Sequence, residues 1–71
     1  MKAKQLRAVL ERKPLNYRVQ RRTGSHRCLS SPDYPPLVFA FHDRATVSPA
    51  TVRKILVGDV GLARDEARKL I

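Results

Sequence analysis

The fold can be predicted starting from residues 15–30, "LNYRVQRRTGSHRCLS". This segment contains two candidate strands and the turn between them. Gly24 can adopt the positive φ that a tight hairpin requires. Residues 15–22 and 25–30 are therefore predicted to form an antiparallel hairpin. In the first strand three apolar residues alternate with polar ones, a period of two that is typical of a half-buried strand: Leu15, Tyr17 and Val19.

Successive residues of a strand point to opposite faces, so the hairpin predicts which side chains share a surface. Leu29 is the most apolar residue of the second strand and is expected to face the helices, which directs His26 outward. Cys28 and Ser30 share the face of His26. In the first strand, the residues opposite in phase to the apolar ones are expected on the same outer face: Arg18, Gln20 and Arg22.

Helical patterns lie on both sides of the hairpin. Residues 2–13 read as an amphipathic helix that Pro14 ends. Ser48 followed by Pro49 is a strong helix start, with serine as N-cap and proline at the first helical position. A short helix over residues 62–71 closes the chain. The apolar positions of the first two helices recur at helical spacing: Ala3, Leu6, Val9, Leu10, Val52, Ile55 and Leu56.

The apolar run at residues 37–42 predicts a third strand, which follows a proline-rich loop at residues 30–36. The run does not indicate which side faces the core. Phe39 and Phe41 are either core residues or, if Val38 and His42 point inward, an exposed hydrophobic patch for a protein partner. The chain is therefore predicted to be one α+β domain, residues 1–71, of order α-β-β-β-α with a short C-terminal helix. Its three-stranded antiparallel sheet would carry the helices on one face.

The composition favours a polyanionic partner. Lysine and arginine total 15 against 6 acidic residues, a formal net charge of +9, and ten of the basic residues are arginines. Arginine matches phosphate oxygens and stacks on bases better than lysine does. In a domain of 71 residues the small core argues against a deep cofactor pocket. Any chemistry is expected on an open face, and no cofactor is expected.

The location expected from the sequence is the cytoplasm. Cys28 is the single cysteine, so no intrachain disulfide can form, which suits a reducing compartment. The basic N-terminus is not followed by the apolar region of a signal peptide. No apolar run is long enough to span a membrane, so no membrane association is expected.

His26 is the residue best suited to catalysis. Next to outward arginines on a shallow face, an imidazole can exchange protons while arginines hold a phosphate. RNA cleavage by this route needs no metal if the 2′-hydroxyl of RNA is the nucleophile. The alternative is an ordinary surface histidine. His42 is a second candidate acid/base group or RNA contact. A zinc site built from His26, Cys28 and His42 lacks the paired spacing of zinc motifs.

The chain resembles the HicA-like toxins, small mRNA interferases of toxin–antitoxin systems. The resemblance covers nearly the whole chain. It is carried by the opening helix "KAKQLRAVLERK", the strand "YRVQRR", the triplet "GSH" at residues 24–26, the histidine that ends "LVFAFH", and the helix "SPATVRKIL". The resemblance implies a fold like that of double-stranded-RNA-binding domains, metal-independent RNA cleavage and inhibition of translation.

The same resemblance implies that His26 is the catalytic histidine of the Gly-Ser-His triplet and that a HicB-like antitoxin covers the His26 face. The hairpin pattern adds the other expected roles: Gly24 and Ser25 set the geometry of His26, and the residues expected to bind the mRNA substrate are Arg18, Arg21, Arg22, Ser25 and Arg27. Two other functions stay open: a non-catalytic RNA-binding module, and a structural subunit whose basic face contacts only a protein.

Overall fold

The computed structural model describes all 71 residues and confirms the predicted order of elements. One sheet of three strands is combined with three helices in an α+β fold. The elements are α1 (Ala3–Glu11), β1 (Arg18–Thr23), β2 (His26–Ser30), β3 (Leu37–Phe39), α2 (Pro49–Arg53), which continues directly into a π-helical segment (Lys54–Asp59), and α3 (Arg64–Leu70).

The sheet is antiparallel throughout, in the order β1-β2-β3, so β2 lies at its centre. A two-residue turn, Gly24 and Ser25, joins β1 to β2, and Thr23 pairs with His26 across it. Gly24 has a φ of 61°, a left-handed conformation that strains residues with a β-carbon. The glycine predicted to make the hairpin therefore does so.

The helices cover one face of the sheet. The apolar stripe of α1 is buried as predicted, and it joins Leu29, Leu37 and Phe39 of the sheet in a single core. The side chains opposite in phase, such as Cys28 and Val38, are exposed. The other face of the sheet is therefore open.

The start of α2 follows the predicted capping chemistry. Ser48 is the N-cap, and its Oγ accepts a hydrogen bond from the Thr51 backbone N–H at 3.2 Å. Pro49 occupies the first turn, where its missing N–H costs nothing. The helical backbone runs on through Gly58, and the chain leaves it near Gly61, whose φ is 89°.

The prediction for the first strand was wrong in its start and, beyond a bulge, in its phase. β1 begins at Arg18 rather than at residue 15, and every residue in it is exposed. Leu15 and Tyr17 are buried as expected, but they precede the strand. Val19, expected to face the core, is 42% exposed. A β-bulge between Val19 and Arg21 then shifts the alternation by one residue.

The two phenylalanines belong to the core side, so the exposed-patch alternative is wrong. Phe39 is fully buried, and Phe41 is half-buried against it in an edge-to-face contact with 5.4 Å between ring centroids. Val38, the residue before Phe39 and opposite to it in phase, is 59% exposed. β3 ends at Phe39, three residues before His42, where the sequence predicted its end.

Candidate active site

The strand register defines the surface that carries His26. Residues directly opposite in an antiparallel pair share a face. The pairs Thr23–His26, Arg21–Cys28 and Arg18–Ser30 therefore lie on the side away from the helices, and Cys28 in turn pairs with Val38. We call this surface the open face. Its residues are Arg18, Arg21, Thr23, His26, Cys28, Ser30 and Val38.

The bulge decides which arginines accompany His26. Strict alternation from Arg18 would have placed Arg22 on the open face. Because the register shifts between Val19 and Arg21, the cross-strand partner of Cys28 is Arg21. Arg22 instead pairs with Arg27 on the helix side, where it remains exposed at the sheet edge and its Nε donates to the Gly24 carbonyl at 3.3 Å. The expected outward position of Arg22 is corrected accordingly.

His26 is the first residue of β2 and is exposed, as the sequence predicted. Its imidazole makes no hydrogen bond or ion pair with the rest of the chain. Both ring nitrogens are thus available to a ligand from solvent. A neutral imidazole offers one N–H donor and one acceptor, so it can take up or deliver a proton.

Ser25 and Gly24 form the turn that presents His26. Ser25 is half-buried, and its hydroxyl makes no hydrogen bond within the chain. The turn brings Thr23 and His26 together at the tip of the hairpin. Gly24 and Ser25 thus place His26 at the tip of the hairpin.

Arg27 is not on the open face. It is 6% exposed, and its Nη1 lies 3.6 Å from Asp43 Oδ1 and donates to the Phe41 carbonyl at 3.4 Å. Alternation along β2 explains this, since Arg27 and Leu29 share the inner face. Arg27 was expected to bind RNA, but its guanidinium is buried near Asp43 on the helix side and is not on the open face.

Asp43, in the segment that follows β3, contacts residues of both α1 and β2. Its Oδ1 lies 3.1 Å from Arg7 Nη1 of α1 as well as near Arg27 of β2, while its backbone carbonyl accepts from the Lys4 N–H at 3.2 Å. Oδ1 is buried at ion-pair distance from both guanidiniums, without the alignment of a hydrogen bond. The sequence contained no signal for this cluster because its members are far apart along the chain.

His42 lies outside the sheet, in the segment that follows β3. It is exposed, and its carbonyl accepts from the Ala45 N–H at 2.9 Å. No group of three or more His, Cys, Asp or Glu side chains is placed to hold a metal ion. The structure therefore does not assemble His26, Cys28 and His42 into a ligand set.

The open face is cationic. None of the six acidic residues lies in a strand, whereas Arg18 and Arg21 are both exposed on this surface. Neither arginine has an ion-pair partner within the chain. The open face can therefore attract an anion without first breaking an internal contact.

Two grooves on the surface do not include His26 among their lining residues. One, of about 450 Å³, is mainly apolar and runs between α2 and α3, away from the open face. The other, of about 610 Å³, is lined mainly by polar and charged side chains, with Pro32 as its one apolar residue, and includes Arg18 and Ser30 of the open face. The sequence predicted neither groove, because each joins residues from separate elements.

None of the helices is both long enough and apolar enough to cross a membrane.

Comparison with known proteins identifies the family. No curated protein and no solved structure matches the chain. The family model described as "HicA toxin of bacterial toxin-antitoxin" matches residues 3–62, from the first residue of α1 to the residue after Gly61. The match includes the whole sheet and the hairpin that carries His26. The chain therefore belongs to the HicA toxin family and is a toxin of a bacterial toxin–antitoxin system, whose partner is an antitoxin.

Proposed function

We propose that this toxin is a metal-independent endoribonuclease that cleaves mRNA and thereby inhibits translation, with His26 as its general acid and base. The observation that carries the proposal is the position of His26: exposed and unpartnered, on a sheet face whose only charged side chains are Arg18 and Arg21. A histidine and arginines on an open, cationic surface suit a long anionic substrate better than a small molecule, which requires an enclosing pocket.

The chemistry uses the substrate's own nucleophile. Neutral His26 takes the proton of a ribose 2′-hydroxyl, and the 2′-oxygen attacks the adjacent phosphorus. The bond from phosphorus to the 5′-oxygen of the next nucleotide breaks, and protonated His26 returns the proton to that leaving oxygen. The products are a 2′,3′-cyclic phosphate and a 5′-hydroxyl. Proton, charge and atoms balance without a metal or a cofactor.

The arginines supply binding and electrostatic stabilisation. Negative charge builds up on the phosphoryl oxygens as the 2′-oxygen attacks, and a guanidinium can hold two of those oxygens at once. Arg21 is nearer to His26 along the sheet than Arg18 is, because it pairs with Cys28, two residues from His26. Arg21 is therefore assigned to the reacting phosphate and Arg18 to a neighbouring one.

The test of catalysis compares two histidines. His26→Ala is expected to slow cleavage of end-labelled single-stranded RNA by roughly 10²–10⁴-fold, the usual contribution of a positioned acid/base group. His42→Ala is the matched control, since it removes an exposed histidine outside the sheet and should leave the rate nearly unchanged. Equal rates for His26→Ala and the parent protein would refute the assignment.

The test of binding compares two arginines that are adjacent in sequence but on opposite faces. Measured in inactive His26→Ala protein, Arg21→Ala should lower the slope of log affinity against log salt by about 1, the effect of one lost phosphate contact. Arg22→Ala should change the slope less, because Arg22 lies on the helix side. Identical slopes for both variants would contradict the proposed RNA surface.

We further propose that the antitoxin is HicB-like and covers the open face with acidic residues. Such a contact would block His26 and use the two unpaired arginines as anchors. Charge reversal of both, Arg18→Glu with Arg21→Glu, should abolish capture of the co-expressed antitoxin, whereas Arg64→Glu with Arg68→Glu on α3 should not. Retained capture by the first pair would place the antitoxin elsewhere.

One observation favours a second function, that of a non-catalytic RNA-binding module. Acid/base histidines are commonly oriented by a hydrogen bond to their second nitrogen, and His26 has no such partner within the chain. This function predicts salt-sensitive RNA binding by the wild-type protein with no cleavage after prolonged incubation.

A further inference from the structure

The polar groove beside β1 extends from the C-terminal end of α1 to the open face that carries His26. Two of its lining residues, Arg18 and Ser30, form the cross-strand pair at the far end of the open face. Ser30 follows His26 by four residues on β2, which corresponds to roughly 13 Å of strand. An extended RNA strand that runs along the open face from His26 would thus reach the groove with a nucleotide other than the one being cleaved.

The groove residues divide into those with partners in the chain and those without. Glu11 forms an ion pair with Arg7, the Asn16 amide donates to the Pro14 carbonyl, and the Ser31 hydroxyl donates to the Leu15 carbonyl. These contacts build the wall of the groove. Three lining side chains make no hydrogen bond or ion pair within the chain: Arg18, Gln20 and Ser30.

Gln20 owes its position to the β-bulge. The register shifts between Val19 and Arg21, so Gln20 has no cross-strand partner on β2. Bulges redirect a side chain, and they are frequent beside active sites. Here the bulged residue is exposed and lines the groove. The bulge thus does two things at once: it directs Arg21 onto the open face and leaves Gln20 at the groove.

The chemistry of the groove favours a nucleotide over a protein segment. Protein interfaces are centred on large apolar and aromatic side chains, whereas this groove has no aromatic or large aliphatic side chain and Pro32 is its one apolar residue. A glutamine amide can donate and accept at once, which matches the edge of an unpaired base. A serine hydroxyl can bond a ribose 2′-hydroxyl or a base, while arginine binds the intervening phosphate.

We infer that Gln20, Arg18 and Ser30 form a second RNA subsite that recognises a nucleotide roughly 13 Å along the open face from the cleaved bond, with Gln20 reading its base. This inference rests on the proposed ribonuclease function and adds to it the origin of sequence preference. His26 acts at one end of the open face, and recognition occurs at the other.

The test is the base preference of cleavage. Single-stranded RNA with a randomised segment is cut by the wild-type protein, and the new ends are sequenced. We expect a base preference at one fixed distance from the cut, and Gln20→Ala should weaken that preference by about fivefold or more. Gln5→Ala is the matched control: Gln5 accepts from the Lys2 N–H at 2.9 Å, far from the groove, and its loss should leave the preference intact.

An unchanged base distribution for Gln20→Ala at every position would overturn the inference, as would a wild-type protein that cuts RNA without any preference. A second measurement separates this inference from the proposed function. RNA affinity is measured for His26→Ala protein with and without the Gln20→Ala change. The RNA ligands carry the bases selected in the cleavage assay or, if nothing is cut, are four short homopolymers. Base-dependent affinity that requires Gln20, together with a wild-type protein that never cuts RNA, would refute catalysis and support the subsite.

Discussion

β1 and β2 pair with each other over five residue pairs, yet the burial of their side chains differs. Along β2 the side chains alternate between exposed and buried up to Leu29, as a strand with one covered face should. Along β1 every residue is exposed. Val19 and Leu29 are direct partners, but one is 42% exposed and the other 1%.

The difference arises from what covers each strand. The helices cover the inner faces of β2 and of β3, where Leu37 and Phe39 are buried although β3 is also an edge strand, whereas β1 stays exposed. The bulge then interrupts the alternation of β1. Two residues that pair across strands can therefore differ in burial. β2 contributes to the core, whereas β1 contributes exposed charged side chains.

The largest expected effect separates the two members of the Val19–Leu29 pair. Leu29→Ala should lower the free energy of unfolding by about 2–5 kcal/mol, because it removes a fully buried side chain from the core. Val19→Ala should cost less than about 1 kcal/mol, because much of the valine is already in water. Urea denaturation followed by circular dichroism measures both. Similar losses for the two variants would mean that β1 is covered in solution.

The next effect separates Arg27 from Arg22, the neighbouring pair in the register. Arg27→Ala should cost about 1–3 kcal/mol, since it removes a buried ion pair with Asp43 and the packing of the arginine stem. Arg22→Ala should stay within about 0.5 kcal/mol, as expected for an exposed residue.

The control for Arg27 is Arg27→Met, which keeps most of the packing and removes the charge. Replacing a buried ion pair by apolar volume is often nearly neutral, although Asp43 keeps its contact with Arg7 here. A Met variant as unstable as the Ala variant would show that the charge, and not the packing, dominates. Equal stability of Arg27→Ala and Arg22→Ala would contradict the burial of Arg27.

The smallest effect concerns Tyr17, the buried residue directly before β1. Tyr17 is buried, and its hydroxyl donates to the Pro35 carbonyl at 2.7 Å. Burial, followed by the nearby Tyr34 and Asp59, raises the pKa of Tyr17 above its ordinary value of 10.0. Tyr17→Phe should cost about 1 kcal/mol near neutral pH through the lost hydrogen bond.

The raised pKa sets the sign of the pH dependence. The folded state favours the neutral phenol, so the contribution of Tyr17 is complete below pH 10, the ordinary phenol value, and declines as the pH rises through the raised pKa of the folded state. The stability difference between the wild-type protein and Tyr17→Phe should therefore shrink above that pH. A difference that stays constant to higher pH would contradict a buried, neutral Tyr17.

Much of the fold could be predicted from local patterns. The helical stripe of α1, the Ser48-Pro49 start of α2 and the glycine turn each depend on neighbouring residues, and each is confirmed. The outward position of His26 followed from a single assumption, that Leu29 faces the core. That assumption holds, because a large apolar side chain in the central strand gains most by burial.

Apart from the ends of the strands, the errors concern pairing and packing between elements. The bulge, the exposure of Val19 and the burial of Arg27 depend on what packs against each strand, which alternation alone does not encode. An arginine next to a candidate catalytic histidine was interpreted as an RNA contact, because nothing local indicated Asp43 as its partner.

The order of elements, the hairpin turn, the cationic character of the protein and its membership of a toxin family follow from composition, local pattern and motif, so the amino-acid sequence was enough to predict them. Which arginines share the face of His26 follows from packing and strand register. Arg21 rather than Arg22 lies there because one bulged residue, Gln20, shifts the register, and Arg27 lies on the inner face, where Asp43 offsets its charge. Strand alternation is a local property, but which face is covered depends on packing across the whole chain.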